Sequence, residues 1–328
     1  MSLKKVSVII VTRNNETTIL ECLESVMKQR IPTIKLELIL VDGQSQDSTI
    51  QKATQFLKSH HIPYKLLFNP QIKLAPGWNI GLKAATGDYV IRPDAHSVLS
   101  RDYIKNGLLI LESDVSLAGT GGVLISKSDT LLGNWIATVL SNPVGVGGSH
   151  FRIGVKKDTI TDTIVYGLYH KHHILDAGQL DETMVRNQDI DLHKRIISNG
   201  FKLLTSPKLK AIYKTRSTLK HFSIQAFQNG FWVIYGNGGH VRHLAPLGFL
   251  ITLFLASWMN MNILVGLILL YLIIVMGAYI VISKLRSIIP ILSCATLTFI
   301  LHMSYGIGSF IGILSLPNKL FYVFRKSV

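Results

Sequence analysis

Two cysteines in 328 residues, Cys22 and Cys294, share no metal-ligand spacing and build no disulfide framework. Their scarcity fits a reducing surrounding for the N-terminal half. Acidic residues are also few. Nineteen Asp and Glu stand against 34 Lys and Arg, a net charge of +15. That balance points to anionic partners: nucleic acid, anionic lipid headgroups or phosphorylated substrates. No nucleic-acid-binding module is visible, which disfavours the first. Charge of either sign is thin, 16% of residues against 48% hydrophobic, a composition biased toward membranes. The sequence has no internal repeat and no low-complexity segment. Residues 141–152, SNPVGVGGSHFR, are expected to form a Gly-rich loop, without phosphate-loop spacing. The opening KKVSVIIVTRNN holds an apolar run of only six, too short for a secretory signal.

Charge is missing altogether from long parts of the C-terminal third. Residues 1–243 are mixed and basic, but from Leu244 the chain reads LAPLGFLITLFLASW. It continues as ILVGLILLYLIIVMGAYIVI at 263–282 and IIPILSCATLTFILHMSYGIGSFIGILSL at 288–316. About 20 apolar residues at 1.5 Å each cross roughly 30 Å of hydrocarbon. Two or three membrane helices are therefore expected over 244–316, followed by a basic tail at 317–328. The basic, aromatic stretch 216–243 reads as an amphipathic segment at the membrane interface. In the apolar region, His302, Tyr305, Gly306, Gly308 and Gly312 read as helix-packing residues.

The N-terminal half alternates strand and helix patterns. Strands are expected at 6–11, 36–41, 64–68 and 88–92. Helices are expected at 16–29 and 48–59, with a short one at 78–85 after Pro76 and Gly77. A strand at 120–126 and a helix carrying Asp189 and ending near Gly200 follow. This alternation implies right-handed βαβ units and a mostly parallel sheet, with ligands at the carboxyl ends of its strands. Asp42 and Asp94 fall just past two such ends. A carboxylate there needs a partner to offset desolvation, and a pair of them suits a nucleotide with a divalent cation. Either one alone is equally consistent with a helix cap or a turn.

The order of short motifs adds to this. VTRNNE at 11–16, VDGQSQD at 41–47, NIG at 79–81, GDY at 87–89 and Asp94-Ala95-His96 resemble the family 2 inverting glycosyltransferases. RPDAH at 92–96, GVGGSHFR at 145–152, DTIVYG at 162–167, DETMVRNQDIDLHKRIISNG at 181–200, QAFQNGFW at 225–232, HLAP at 243–246 and HMSYGIGSFIG at 302–312 resemble its succinoglycan-biosynthesis (ExoA-like) branch. The resemblance implies a Rossmann-like α/β nucleotide-diphospho-sugar domain of the GT-A type over 1–215, followed by transmembrane helices. It also implies that Asp42 contacts uracil and that Asp94 with His96 holds Mn²⁺ or Mg²⁺, His96 standing where a second aspartate is usual. Asp189 would be the general base, with Gln188 in place of the family's Glu. Thr12, Asn14, Glu16, Lys73, Asn79 and Arg152 would line the donor, and Arg216 is a further candidate for the diphosphate. Asp191, the competitor of Asp189, reads as a solvated helix position. Gln225 and Trp232 keep only part of the motif by which elongating synthases hold a polymer, which points to single addition.

The expected function is transfer of a hexose, glucose above others, from a UDP-sugar to a polyprenyl-diphosphate-linked oligosaccharide in exopolysaccharide or capsule assembly. The expected place is a bacterial inner membrane with the catalytic domain cytoplasmic. Partners would be the lipid-linked acceptor, membrane lipid and other polysaccharide-assembly proteins, with no nucleic acid. Transfer onto a polyprenyl monophosphate and a non-catalytic membrane scaffold are the alternatives.

Overall fold

The computed structural model describes residues 3–236 and 239–326, the side chains of 317–326 excepted. The chain divides into two compact units. One is Met1–Ile125 with Gly154–Lys214, the other Ser126–Ile153 with Thr215–Val328.

The first unit opens β1 (Lys4–Thr12), α1 (Ile19–Met27), β2 (Ile34–Asp42), α2 (Thr49–Ser59), β3 (Tyr64–Phe68), α3 (Leu74–Ala84), β4 (Tyr89–Ile91), β5 (Ser97–Leu99), α4 (Tyr103–Ser113) and β6 (Leu117–Lys127). The chain then enters the second unit for α5 (Leu131–Leu140), α6 (Pro143–Val146) and α7 (His150–Ile153). It returns for β7 (Thr159–Thr161), β8 (Leu168–His170), α8 (Lys171–Asp176), α9 (Gln188–Ser198) and β9 (Lys202–Lys214). The sheet runs β3-β2-β1-β4-β8-β6-β9-β5, with β7 on β9. Strands β1 to β4 are parallel. Strand β8 is antiparallel to β4 and β6, as β5 and β7 are to β9. The sheet is thus mixed: its parallel half is the part legible as βαβ units, and its antiparallel half comes from the later strands.

Strand β1 is buried at Val6, Val8, Ile9 and Ile10, as a central parallel strand covered on both faces should be. Helix α1 buries Ile19, Cys22, Leu23 and Val26, spaced to share one helical face. Helix α3 begins at Leu74, four residues earlier than expected. Pro76 is tolerated in this first turn because its missing N–H would have no intrahelical partner there. A Cβ on Gly81 would lie 2.4 Å from Ile9 Cγ2, so glycine lets α3 settle directly on β1. The core beneath gathers Ile9, Ile39, Val41, Trp78, Leu82, Val90 and Ile196. The register pairs Thr12 with Asp42 and Asp42 with Phe68. Three parallel strands therefore end level, and their loops share one edge.

The second unit is helical: α5 to α7, then α10 (Leu219–Tyr235), a 3-10 turn (Val241–Leu244), α11 (Ala245–Met259), α12 (Met261–Val281) and α13 (Ile288–Lys326). Among the described residues, three helices are long and apolar enough to cross a membrane: Val241–Met259, Met261–Val281 and Ile288–Leu316. Ser327, Val328, Asn237 and Gly238, parts of the expected tail and interface segment, lie outside the described residues. Segment 126–153, read from the sequence as part of a 1–215 domain, joins this unit because α5 is apolar. Its Ile136, Val139 and Leu140 are buried with Phe222, Val275, Tyr279, Cys294 and Leu301. Where a Gly-rich loop was expected at 141–152, α6 and α7 form instead. Helices α10 and α13 meet backbone to backbone, so that a Cβ on Gly308 would fall 2.0 Å from the Phe227 carbonyl oxygen. Tyr271 Oη and His302 Nδ1 are hydrogen-bonded at 2.9 Å, which gives His302 the packing role expected of it.

Candidate active site

At the carboxyl edge of β1 and β2, two loops interlock. Asn14 takes a left-handed conformation, φ 51°, and its carboxamide oxygen accepts from the Gln46 N–H at 2.8 Å. The Asn14 N–H donates to Ser45 Oγ, and the Asn15 N–H to Thr49 Oγ1 at 2.7 Å. Glu16 accepts from the Ser48 N–H and pairs with Lys52 at 3.7 Å. Thr12 is buried and donates to Asn15 Oδ1. Asp42 accepts from the Ser45 hydroxyl at 2.7 Å and from the Ser45 N–H. Four of the residues expected at the donor, Thr12, Asn14, Glu16 and Asp42, therefore stand in one braced pair of loops.

Strand β4 ends at Ile91, and its partner across the register is Val8 of β1, so Arg92 to His96 leave at the same edge. Arg92 Nη1 donates to Asp94 Oδ1 at 2.9 Å, and Nη2 to Asp189 Oδ2 at 3.4 Å. The arginine side chain is 13% exposed, against 28% for Asp94 and 38% for Asp189. Burial works against the guanidinium's charge, but Asp94 and Asp189 outweigh it and raise its pKa. Asp189 sits in the first turn of α9, where the helix dipole favours a carboxylate. The turn into α9 passes through Asn187 at φ 60°. Four residues on, His193 is fully buried. Its ring nitrogens meet Thr163 Oγ1 at 2.9 Å and Tyr169 Oη at 2.8 Å. Burial pushes its pKa down to about 4, so it is neutral, one nitrogen donating and the other accepting.

Asp94 divides its oxygens. Oδ1 faces Arg92, and Oδ2 lies 4.0 Å from His96 Nε2. Two donors on one ion, each about 2.1 Å from it, stand at most about 4.2 Å apart. Adjacent octahedral positions lie about 3 Å apart, so Asp94 and His96 border one cation position and would have to close by about 1 Å to share it. Among the described residues no three His, Cys, Asp or Glu cluster as a complete cage, so further ligands would come from the diphosphate, as is usual for a cation that reaches a site with phosphate.

The remaining expected residues are placed differently. The Asn79 carboxamide donates to the Leu180 carbonyl at 2.9 Å and to Glu182 at 3.0 Å, and accepts from the Leu180 N–H. It thereby fastens the loop that leads into α9. Lys73 is exposed at the N-cap of α3. Arg152 belongs to the second unit, on α7, with its guanidinium 5.5 Å over the Phe151 ring. Arg216 is also in that unit. Asp191 is not the solvated position expected. It holds Arg195 at 2.7 Å, and Arg195 also donates to the carbonyls of Ala177 and Gln179, so the pair clamps the loop between α8 and α9. Sequence reading named neither Arg92 nor Glu182 for a role. The signal for Arg92 was a charge directly after a buried strand, in RPDAH itself.

A family model described as Glycosyl transferase family 2 matches residues 7–141. The chain is 32% identical over 257 residues to the dolichyl N-acetyl-alpha-D-glucosaminyl phosphate 3-beta-D-2,3-diacetamido-2,3-dideoxy-beta-D-glucuronosyltransferase of Methanococcus voltae, covering 76% of this chain and 79% of that one. It is 23% identical over 283 residues to the succinoglycan biosynthesis protein ExoA of Rhizobium meliloti, covering 77% and 79%. The mannosyltransferase PcManGT of Pyrobaculum calidifontis, solved with GDP-Man and Mn²⁺, superposes with a TM-score of 0.64 at 16% identity over 94% of this chain and 88% of that one.

Proposed function

The chain belongs to glycosyl transferase family 2, and on that footing we propose that it moves a hexose from a UDP-sugar, with inversion, onto a hydroxyl of a polyprenyl-linked saccharide at the cytoplasmic face of a cell membrane. Its first unit has the GT-A mixed α/β fold. The observation that carries the reading is the meeting of Asp94 and Asp189 on one arginine, at the sheet edge where the braced Asp42 loops also end.

In this reading Asp42 and its loops take the nucleotide. Asp94 and His96 would hold Mn²⁺ or Mg²⁺, which when bound supplies Lewis-acid neutralisation of the diphosphate. Asp189 accepts the proton of the acceptor hydroxyl. The freed oxygen bonds to the anomeric carbon from the face opposite the diphosphate, and the carbon–oxygen bond to UDP breaks with its electron pair leaving on UDP. One displacement inverts the centre, through an oxocarbenium-like state.

The acceptor assignment draws on the Methanococcus relative, whose name describes a sugar carried on dolichyl phosphate. The three apolar helices support it, because a soluble donor and a lipid-held acceptor meet at a membrane surface. Likeness to ExoA, named as a succinoglycan biosynthesis protein, supports a place in polysaccharide assembly. Full-length protein in membranes, incubated with a panel of radiolabelled UDP-sugars, should move label into the lipid extract. EDTA should abolish the transfer, and Mn²⁺ or Mg²⁺ restore it. Label reaching no lipid from any UDP-sugar would overturn the donor and acceptor assignment, and full transfer in EDTA would overturn the cation.

A further inference from the structure

Arg92 touches both carboxylates on which the proposed reaction depends, and the chemistry above gives it no part. Its guanidinium is a rigid planar fork. One prong holds Asp94 Oδ1 at 2.9 Å and the other reaches Asp189 Oδ2 at 3.4 Å. Its surroundings are mostly apolar. With Asp189, it lines a small, partly open cavity of about 20 Å³ walled by Trp78, Ile164, Tyr166 and Tyr169. The guanidinium itself is largely shielded from water, which strengthens its charge pairs, while Asp189 keeps one side toward solvent.

We propose that Arg92 is a positioning residue that couples the donor–cation end of this site to its base. It fixes Asp94 so that Oδ2 faces His96, and it fixes Asp189 at a set separation from that point. Two carboxylates against one guanidinium leave a single net negative charge. A free divalent cation therefore meets a partly neutralised ligand, and the site favours a cation that arrives with the nucleotide diphosphate over one that arrives alone. The inference rests on the roles proposed for Asp94 and Asp189. It adds that one side chain sets both the geometry between them and the order in which cation and donor are taken up.

The test uses full-length protein in detergent micelles, with Mn²⁺ binding read by electron paramagnetic resonance, with and without UDP, alongside lipid-acceptor kinetics. Arg92→Gln removes the charge beside Asp94. Mn²⁺ alone should bind about tenfold tighter, while kcat falls about 10–100-fold, the loss typical when a ligand's orienting partner is removed. Arg92→Lys keeps the charge but cannot span two carboxylates. Its affinity for Mn²⁺ alone should stay near wild type while kcat still falls, and its near-native size keeps the test valid where the glutamine variant folds poorly. Unchanged Mn²⁺ affinity in Arg92→Gln, or full kcat in Arg92→Lys, overturns the coupling. Asp94→Asn separates the two levels. If it leaves Mn²⁺ binding intact, the cation reading itself fails. If it abolishes binding while Arg92→Gln binds as wild type does, only the inference about Arg92 fails.

Discussion

Asp189 and Asp191 lie two residues apart in one helical turn and have opposite surroundings. Asp189 is the more exposed and meets Arg92. Asp191 is enclosed by Arg195, which holds two backbone carbonyls as well. Of the two, Asp189 is the better placed for the proposed role of base, because its side chain is the more open to an incoming group. Asp189→Asn should therefore lower kcat by about 10²–10⁴ and leave UDP affinity, measured by calorimetry, near wild type. Asp191→Asn should cost far less in kcat and about 0.5–1 kcal/mol in stability, the worth of a partly screened helical ion pair. If Asp191→Asn is the inactive variant and Asp189→Asn is nearly normal, the assignment of the base is wrong. His193 yields a pH dependence. Its pKa is about 4 in the folded chain, lowered chiefly by burial, with Asp189 and Asp162 opposing and Arg92 adding to the effect. Between about pH 6.5 and 4 the unfolded chain binds a proton that the folded chain refuses. This contribution is complete above pH 6.5 and is lost as pH falls, on the order of 3 kcal/mol by pH 4. The thermal midpoint of His193→Gln should depend less on pH over that window, and parallel curves for variant and wild type would count against a neutral buried histidine.

At the scale of elements, α3 does two things. Its glycine face lies on β1, and Asn79 reaches from it to Leu180 and Glu182 in the approach to α9. Gly81→Ala would push a methyl group into Ile9, and such overpacking costs about 1–3 kcal/mol. The thermal midpoint should drop by about 2–4 °C for each of those kcal/mol, and an unchanged midpoint would show that α3 can lift at no cost. Helix α5 gives a second prediction. Its apolar face is buried against α10, α12 and α13, so a chain ending at residue 215 strips that cover and leaves Ile136, Val139 and Leu140 bare. Such a chain should lose transfer to lipid acceptors and aggregate, by light scattering, unless 126–153 is also replaced. A monodisperse 1–215 chain would show that α5 does not need the later helices.

The whole molecule carries +15, and among the described residues three helices are long and apolar enough to cross a membrane. Exposed basic charge near a leaflet gains about 1 kcal/mol per residue from anionic lipid and loses it to salt screening. In reconstituted vesicles, transfer should rise with the anionic lipid fraction and fall between 0.05 and about 0.5 M salt. The protein itself should stay in the membrane pellet after alkaline carbonate washing. Release by carbonate would mean that the helices lie on the bilayer and do not cross it.

Sequence alone determined what depends on neighbours in the chain. Short continuous apolar runs and period-3.6 patterns located β1 to β4 and α1 to α3 within a few residues, because buried strands and helices declare themselves by local spacing. Asp42, Asp94 and Asp189 were legible as residues at element ends, and the apolar runs as helices of membrane length. The start of α3 was misplaced because Pro76 reads as a breaker unless its position in the first turn is known. Tertiary structure decided the rest. Arg92 meets Asp189 across 97 residues, and Asn79 meets Glu182 across 103. Segment 126–153 leaves the sheet unit because its apolar face finds partners more than 80 residues further along the chain. Local periodicity carries no information on such pairings. They exist only once the sheet has set its strand order and the helices have found the surfaces that cover them.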